Sequence, residues 1–138
     1  MEHQGNNHVN RSGVHVLLGL SGGVDSAAAA SLLLRDGYRV TALTLQTIDD
    51  DACDRAAEVA RALAIEHITI NAVDDFYRDV VCPFVESWRL GETPNPCVFC
   101  NRHFKFQRLA EAADHLGCDY IATGHYAQMV GEPSRRYL

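Results

Sequence analysis

The chain is 138 residues long, 47% hydrophobic and 22% charged, with 12 Lys+Arg against 18 Asp+Glu and a formal net charge of -6. These proportions describe one soluble globular domain, large enough to bury roughly two-thirds of the surface its unfolded chain exposes without help from disulfides or metal. The apolar run Ala27–Leu34 contains Ser31 and falls far short of the ~20 residues that a membrane-spanning helix needs, which excludes a membrane protein of that kind. The acidic balance also excludes a domain that grips nucleic acid by bulk positive charge alone. Five cysteines, an odd number, in a core-rich chain with no charged-then-apolar leader point to a reducing, cytoplasmic setting.

Met1–Gly13 is polar and without periodicity, and is expected to be a disordered tail ahead of a single domain over 14–138. From there short β-rich runs alternate with helical ones. A strand is expected at Val14–Leu20, then a helix at Asp25–Asp36 closed by Gly37, and a second strand at Arg39–Leu45. Thr47–Asp51 reads as a loop, and Ala52–Leu63 as an amphipathic helix. Glu66–Asn71 is a third strand. Asp74–Leu90 is helical in pattern but must kink or divide at Pro83, with Gly91 ending it. Asn95 is placed to cap a long helix that begins at Pro96, runs to about Leu116 and closes at Gly117. A fourth strand is Tyr120–Thr123, and Gly131–Arg136 has hairpin character. Strands and helices alternating in this way predict an α/β fold, a Rossmann-like parallel sheet with helices on both faces, whose ligands lie at the carboxyl ends of the strands.

The first strand end carries Ser21-Gly22-Gly23-Val24-Asp25-Ser26. Adjacent glycines let backbone N–H groups turn inward, the helix start adds unsatisfied donors and a positive dipole end, and Ser21 and Ser26 add hydroxyls. It is neither a Walker loop nor a dinucleotide fingerprint, since the defining Gly-Lys-Ser/Thr and Gly-x-Gly-x-x-Gly are missing. A bare Ser-Gly-Gly would more often be an ordinary turn with Asp25 as cap. The six-residue string at this location instead resembles the PP-loop of the ATP pyrophosphatases, enzymes that split ATP to AMP and pyrophosphate while activating a carbonyl oxygen.

Cys97-Val98-Phe99-Cys100 opens the long helix, and the i, i+3 spacing predicts both sulfurs on one face in a first turn whose N–H groups favour thiolate. Zinc ranks behind thiol chemistry and behind an iron–sulfur ligand pair, because Cys53, Cys82 and Cys118 are isolated and only His103 could join; those three cysteines read as small buried residues. The longer string Gly91–Asn101, followed by Lys105-Phe106 and by Asp119–Tyr126, resembles the tRNA-specific 2-thiouridylases from about Val14 to Tyr126, with three motifs in family order.

The resemblance implies ATP, with magnesium (Mg2+), held by Gly19, Leu20, Ser21, Gly22, Gly23, Val24, Asp25 and Ser26, with Asp25 near the metal-bound pyrophosphate. It also implies that Leu45 and Gly124 complete the adenine pocket. Asn95, Pro96 and Cys97 would touch the target uridine of a tRNA, and Cys100 would be the nucleophile that carries persulfide sulfur delivered by a carrier protein. The family varies between Asp and Cys at the position of Cys97, which leaves it a redox thiol, a cluster ligand or a spectator. The family's second catalytic cysteine, further tRNA-contacting segments and C-terminal barrel would lie after Leu138, so the chain reads as an N-terminal portion, inactive by itself in full thiolation. An amide-forming synthetase of the same ATP chemistry and a non-catalytic nucleotide-binding module are the alternatives. Of the remaining residues, His125 is read as a phosphate contact or a structural hydrogen-bonder, and Lys105, the sole lysine beside 11 arginines, as a phosphate contact or a solvated residue. Asp49, Asp50 and Asp51 read as a solvated run, and Phe84 with Trp88 as core packing.

Overall fold

The computed structural model describes residues 13–48 and 50–127. The N-terminal tail but for its last residue, Asp49 and the hairpin expected at 131–136 therefore lie outside the described residues. Strand β1 (His15–Gly19), helix α1 (Val24–Arg35), β2 (Arg39–Gln46), α2 (Asp50–Ala62) and β3 (Glu66–Asn71) follow one another as alternating units. A helical stretch of α3 (Val73–Phe76), a π turn (Tyr77–Val81) and α4 (Cys82–Arg89) comes next. The chain then runs through α5 (Pro96–Cys100), a second π turn (Asn101–Lys105) and α6 (Phe106–Leu116) into β4 (Tyr120–Thr123).

All strand pairs are parallel and the sheet order is β3-β2-β1-β4, in register with Val16 opposite both Val40 and Tyr120. β1 is buried on both faces. Leu18, with Leu20, packs with Ala30, Val40, Ala42, Ala56 and Ala60 under α1 and α2, whereas Leu17 and Leu43 pack with Leu109 and Ala113 of α6. Continuous apolar runs, rather than alternating ones, are what a parallel sheet covered on both sides demands. The chain builds outward from β1 through β2 to β3 and then returns to place β4 on the other side of β1. The order reverses between β1 and β4, and there the carboxyl ends of the strands open a crevice.

Three helix ends form as their residues dictate. Gly37 and Gly117 take the left-handed conformation, φ +84° and +64°, that terminates α1 and α6. Asn95, extended at φ -104°, accepts the Val98 N–H on its side-chain oxygen at 3.3 Å, with Pro96 in the first helical position.

Pro83 does not divide its helix by a break. It sits in the first turn of α4, directly after the π turn, in which the Cys82 N–H reaches back to the Tyr77 carbonyl. Proline removes one donor and crowds the carbonyl four residues earlier, and a turn widened by one residue relieves both. The long helix also contains a π turn, closed by the Phe106 N–H on the Asn101 carbonyl.

Other expectations need correction. The loop assigned to Thr47–Asp51 ends sooner, because α2 already begins at Asp50. Trp88 is 56% exposed; it meets Phe84 edge-on at 6.4 Å on α4 rather than in a core. Cys82 is exposed, and Cys53 and Cys118 are only half-buried. Leu17→Ala should lower stability by about 2–5 kcal/mol, and Leu90→Ala, at an exposed helix end, by no more than about 0.5 kcal/mol. Urea unfolding of the two variants checks the assignment of the core; similar losses would contradict it.

Candidate nucleotide-binding site

The loop after β1 is shaped by its own hydroxyls. Ser26, buried at the start of α1, donates its hydroxyl proton to the Gly23 carbonyl (3.1 Å) and accepts from the Ser21 N–H (3.2 Å). With its one proton so used, it must also accept from the Ser21 hydroxyl at 3.1 Å. Ser21 Oγ in turn accepts from the Gly23 N–H at 3.4 Å. The hydroxyl protons of both serines are thus used within the loop and hold it closed. What remains for an anion is backbone. The helix cap is Gly23, not Asp25, and has no side-chain capping bond, so the first-turn N–H groups of α1 have no intrahelical acceptor.

Two glycines set the loop's position. Gly22 lies at φ +76°, and a Cβ there would come within 2.7 Å of Arg55 Cβ and 2.9 Å of the Ala56 nitrogen, so α2 braces the loop from behind. Gly124, just past β4, lies so close to α1 that a Cβ would sit 2.6 Å from the Ser26 nitrogen.

The crevice contains a cavity of about 480 Å³. Of the residues assigned to a nucleotide from sequence, it brings together Gly19, Leu20, Ser21, Asp25, Ser26, Leu45 and Gly124; Gly22, Gly23 and Val24 complete the loop without lining it. Sequence reasoning missed Thr47, Phe106, Leu109 and Thr123, although the strand-end rule would have found Thr47 and Thr123. His125 lines the cavity, shares a hydrogen bond with Thr123 Oγ1 at 2.8 Å and packs on Phe106 with ring centres 5.8 Å apart. Tyr126 is 91% exposed and donates its hydroxyl to Asp25 Oδ1 at 2.9 Å, an interaction that pushes the phenol's pKa up because ionisation would oppose the carboxylate. From the sheet side, Thr44 donates to the Leu20 carbonyl at 2.7 Å and so must accept from His67 Nε2 at 2.8 Å; burial lowers the pKa of that imidazole.

The cysteine pair lies apart from this cavity. Cys97 is exposed in the first turn of α5. Cys100, the last residue of α5, is 7% exposed among Ala72, Val80 and Phe104. The two sulfurs therefore do not share an accessible face. Burial raises the Cys100 thiol above its ordinary value, the positive charge of Lys105 draws it down, and Cys97 raises it. The activation expected from a helix first turn is thus outweighed at Cys100. Asn95 and Pro96 line a second cavity of about 270 Å³ with Val80, Pro83, Phe84 and Phe99.

Sheet order, glycine-bounded loop and crevice together define a Rossmann-like α/β domain with a candidate anion site at its strand ends. A family model described as the tRNA methyl transferase HUP domain matches residues 14–138. The tRNA-specific 2-thiouridylase MnmA of Syntrophotalea carbinolica is 44% identical over 133 residues, which cover 90% of this chain and 38% of that protein. MnmA 3 of Bacteroides fragilis is 43% identical over 123 residues, 89% of this chain and 34% of that one. Among solved structures, the NH3-dependent NAD synthetase of Campylobacter jejuni superposes with a TM-score of 0.53 at 22% identity, covering 77% of this chain and 45% of its own, a likeness of fold. The chain belongs to the tRNA methyl transferase HUP-domain family, and it spans 34% to 38% of the length of the 2-thiouridylases it matches.

Two outcomes follow from this geometry. Gly124→Ala must push β4 away from α1 and should reduce both thermal stability and nucleotide affinity, whereas Gly91→Ala, with nothing near its Cβ, should cost stability only through its positive φ and leave affinity intact. Parallel melting curves and nucleotide titrations distinguish them. Brief iodoacetamide treatment near neutral pH should label Cys97 and Cys82 well before Cys100. Because burial raises the Cys100 pKa, its labelling rate should climb with pH to a midpoint above that of an ordinary thiol; peptide mapping that finds Cys100 labelled first would contradict the burial.

Proposed function

We propose that this chain supplies the ATP-binding part and the first catalytic cysteine of an enzyme that 2-thiolates the wobble uridine of tRNA, a tRNA-uridine 2-sulfurtransferase. The observation that carries the reading is the pairing, in one crevice, of an amide-lined loop with the Gly124 strand end, in a chain 44% identical to a tRNA-specific 2-thiouridylase.

In this reading ATP lies in the 480 Å³ cavity with its phosphates on the first-turn amides of α1 and its adenine toward Leu45. The C2 carbonyl oxygen of uridine attacks the α-phosphorus, the bond to the β-phosphate breaks and pyrophosphate leaves. A persulfide on Cys100 then attacks C2 through its terminal sulfur, and AMP departs with the carbonyl oxygen; a second thiolate of the whole enzyme attacks Cys100 Sγ, breaking the S–S bond to form a disulfide and leaving the terminal sulfur on C2 as the thiocarbonyl. Loop amides fixed in advance by Ser21 and Ser26 stabilise the phosphate charge at no cost in reorganisation during the step. Asn95, Pro96 and Cys97 form the rim that meets the base.

Magnesium, which usually travels with nucleotide phosphates and takes one or two protein carboxylates, fits beside Asp25; it would offset charge on the phosphate oxygens. An iron–sulfur cluster fits poorly: the described residues assemble no group of three or more His, Cys, Asp or Glu, and one member of the Cys97–Cys100 pair is buried while the other is exposed. In line with the family resemblance, sulfur would arrive as a persulfide from a carrier protein, in the cytoplasm. No helix among the described residues is long and apolar enough to cross a membrane.

Asp25→Ala should weaken magnesium-ATP binding, whereas Asp114→Ala, on the exposed face of α6, should not. Labelled ATP incubated with the protein and unmodified tRNA should release pyrophosphate, dependent on the tRNA, with AMP following once a persulfide donor is added. Cleavage to ADP, or cleavage that responds to ammonia rather than to tRNA, would reject the thiolation reading, the latter in favour of an amide-forming synthetase. Binding without any cleavage would favour a nucleotide-binding module.

A further inference from the structure

Lys105 occupies a position that neither the loop nor the cysteine pair accounts for. It is the last residue of the π turn Asn101–Lys105, and its side chain lines the 480 Å³ cavity together with Ser21, Asp25 and His125. No other lysine or arginine lines that cavity among the described residues, and Lys105 forms no ion pair with a described carboxylate. The cavity therefore presents helix-start amides on one wall, an ammonium group on another, and one carboxylate whose Oδ1 is already engaged by Tyr126. Such a balance lacks an anion.

The π turn is what brings Lys105 there. An extra residue in the turn rotates everything after it relative to an α-helix, so that Phe104 points into the core with Ala72, Val80 and Cys100 while Lys105 and Phe106 reach the cavity. Five residues also separate Cys100 from Lys105, the repeat that closes one π turn, which sets them on neighbouring parts of one helix surface.

We infer that Lys105, delivered by this π turn, is a cation shared by the two halves of the site: it ligates the phosphates of the bound nucleotide from the helix side and stands one π turn from Cys100. The phosphate half rests on the nucleotide reading above. The thiol half agrees with the downward pull of Lys105 on Cys100, against the upward push of burial and of Cys97. A polyanion that occupies Lys105 would weaken that pull.

The test uses the 138-residue chain and its Lys105→Met and Lys105→Arg variants, with circular dichroism to establish that each is folded. Calorimetric titration should show Lys105→Met losing about tenfold or more in affinity for magnesium-ATP, with adenosine affinity unchanged and with Lys105→Arg recovering most of the loss. Separately, without nucleotide, the pH midpoint for alkylation of Cys100, read by peptide mapping from about pH 7 to pH 10, should move up in Lys105→Met and stay near wild type in Lys105→Arg. Undiminished ATP affinity in Lys105→Met, or an equal loss for adenosine, overturns the phosphate half. An unmoved Cys100 midpoint overturns the shared cation. A wild-type chain that binds neither ATP nor adenosine contradicts the nucleotide reading and takes the phosphate half with it, while the alkylation measurement still decides the link to Cys100.

Discussion

The end of β4 approaches the first turn of α1 so closely that one methyl group at Gly124 would lie 2.6 Å from the Ser26 nitrogen and 2.8 Å from the Asp25 carbonyl carbon. Two backbone segments, 98 and 99 residues apart at these contacts, are thereby pressed together with no side chain between them. The same demand recurs at Gly22, where α2 comes within 2.7 Å of the position a Cβ would take. Between these two contacts the loop cannot spread or close, and its amides keep facing the crevice. The hydroxyls of Ser21 and Ser26 complete the brace from inside. A site built this way is rigid before any ligand arrives, which is the condition under which fixed dipoles stabilise developing charge most effectively.

Against that rigid half stands a thiol half of different character. Cys100 lies behind the helix surface, among apolar side chains that hold its proton in place, and the residues that would meet a base, Asn95 and Pro96, face a separate, smaller cavity beside Phe84 and Phe99. The exposed aromatic side chain of Trp88 lies on the adjoining helix α4. In the proposed function, nucleotide chemistry and sulfur chemistry would be divided between the two ends of a single helical run, joined by the π turn.

Much of this was legible in the sequence. Each strand is a short β-rich run with a clear boundary, and Glu66–Asn71 and Tyr120–Thr123 fall where their composition places them. Asn95-Pro96 and Gly117 announce the ends of the long helix because capping is local chemistry, dependent on a residue's own side chain or φ. The rule that ligands sit at strand ends located the loop Ser21–Ser26, while the resemblance to the 2-thiouridylases implied the rest of the seven residues that meet in the cavity, Leu45 and Gly124 among them. The π turns were not legible: one added residue per turn leaves the apolar spacing close to helical, yet it decides that Phe104 is buried and that Lys105 reaches the cavity. The unequal fates of Cys97 and Cys100 were hidden for a related reason. Spacing states which residues share a helix face, but burial depends on what packs there, and here Ala72 and Val80 come from a segment with no sequence mark of that contact. Trp88 was misread because aromatic content alone does not say which face of a helix finds a partner.

The central claim is that the crevice between β1 and β4 is where the nucleotide binds. Nuclear magnetic resonance titration of the 15N-labelled protein with magnesium-ATP tests it most directly, residue by residue. The account predicts the largest amide shifts at Gly22–Ser26, at Thr123 and Gly124 and at Lys105, with Trp88 and the amino end of β1 at His15 nearly unmoved. Shifts concentrated instead around Phe84, Asn95 and Phe99, with the loop after β1 unaffected, would contradict it.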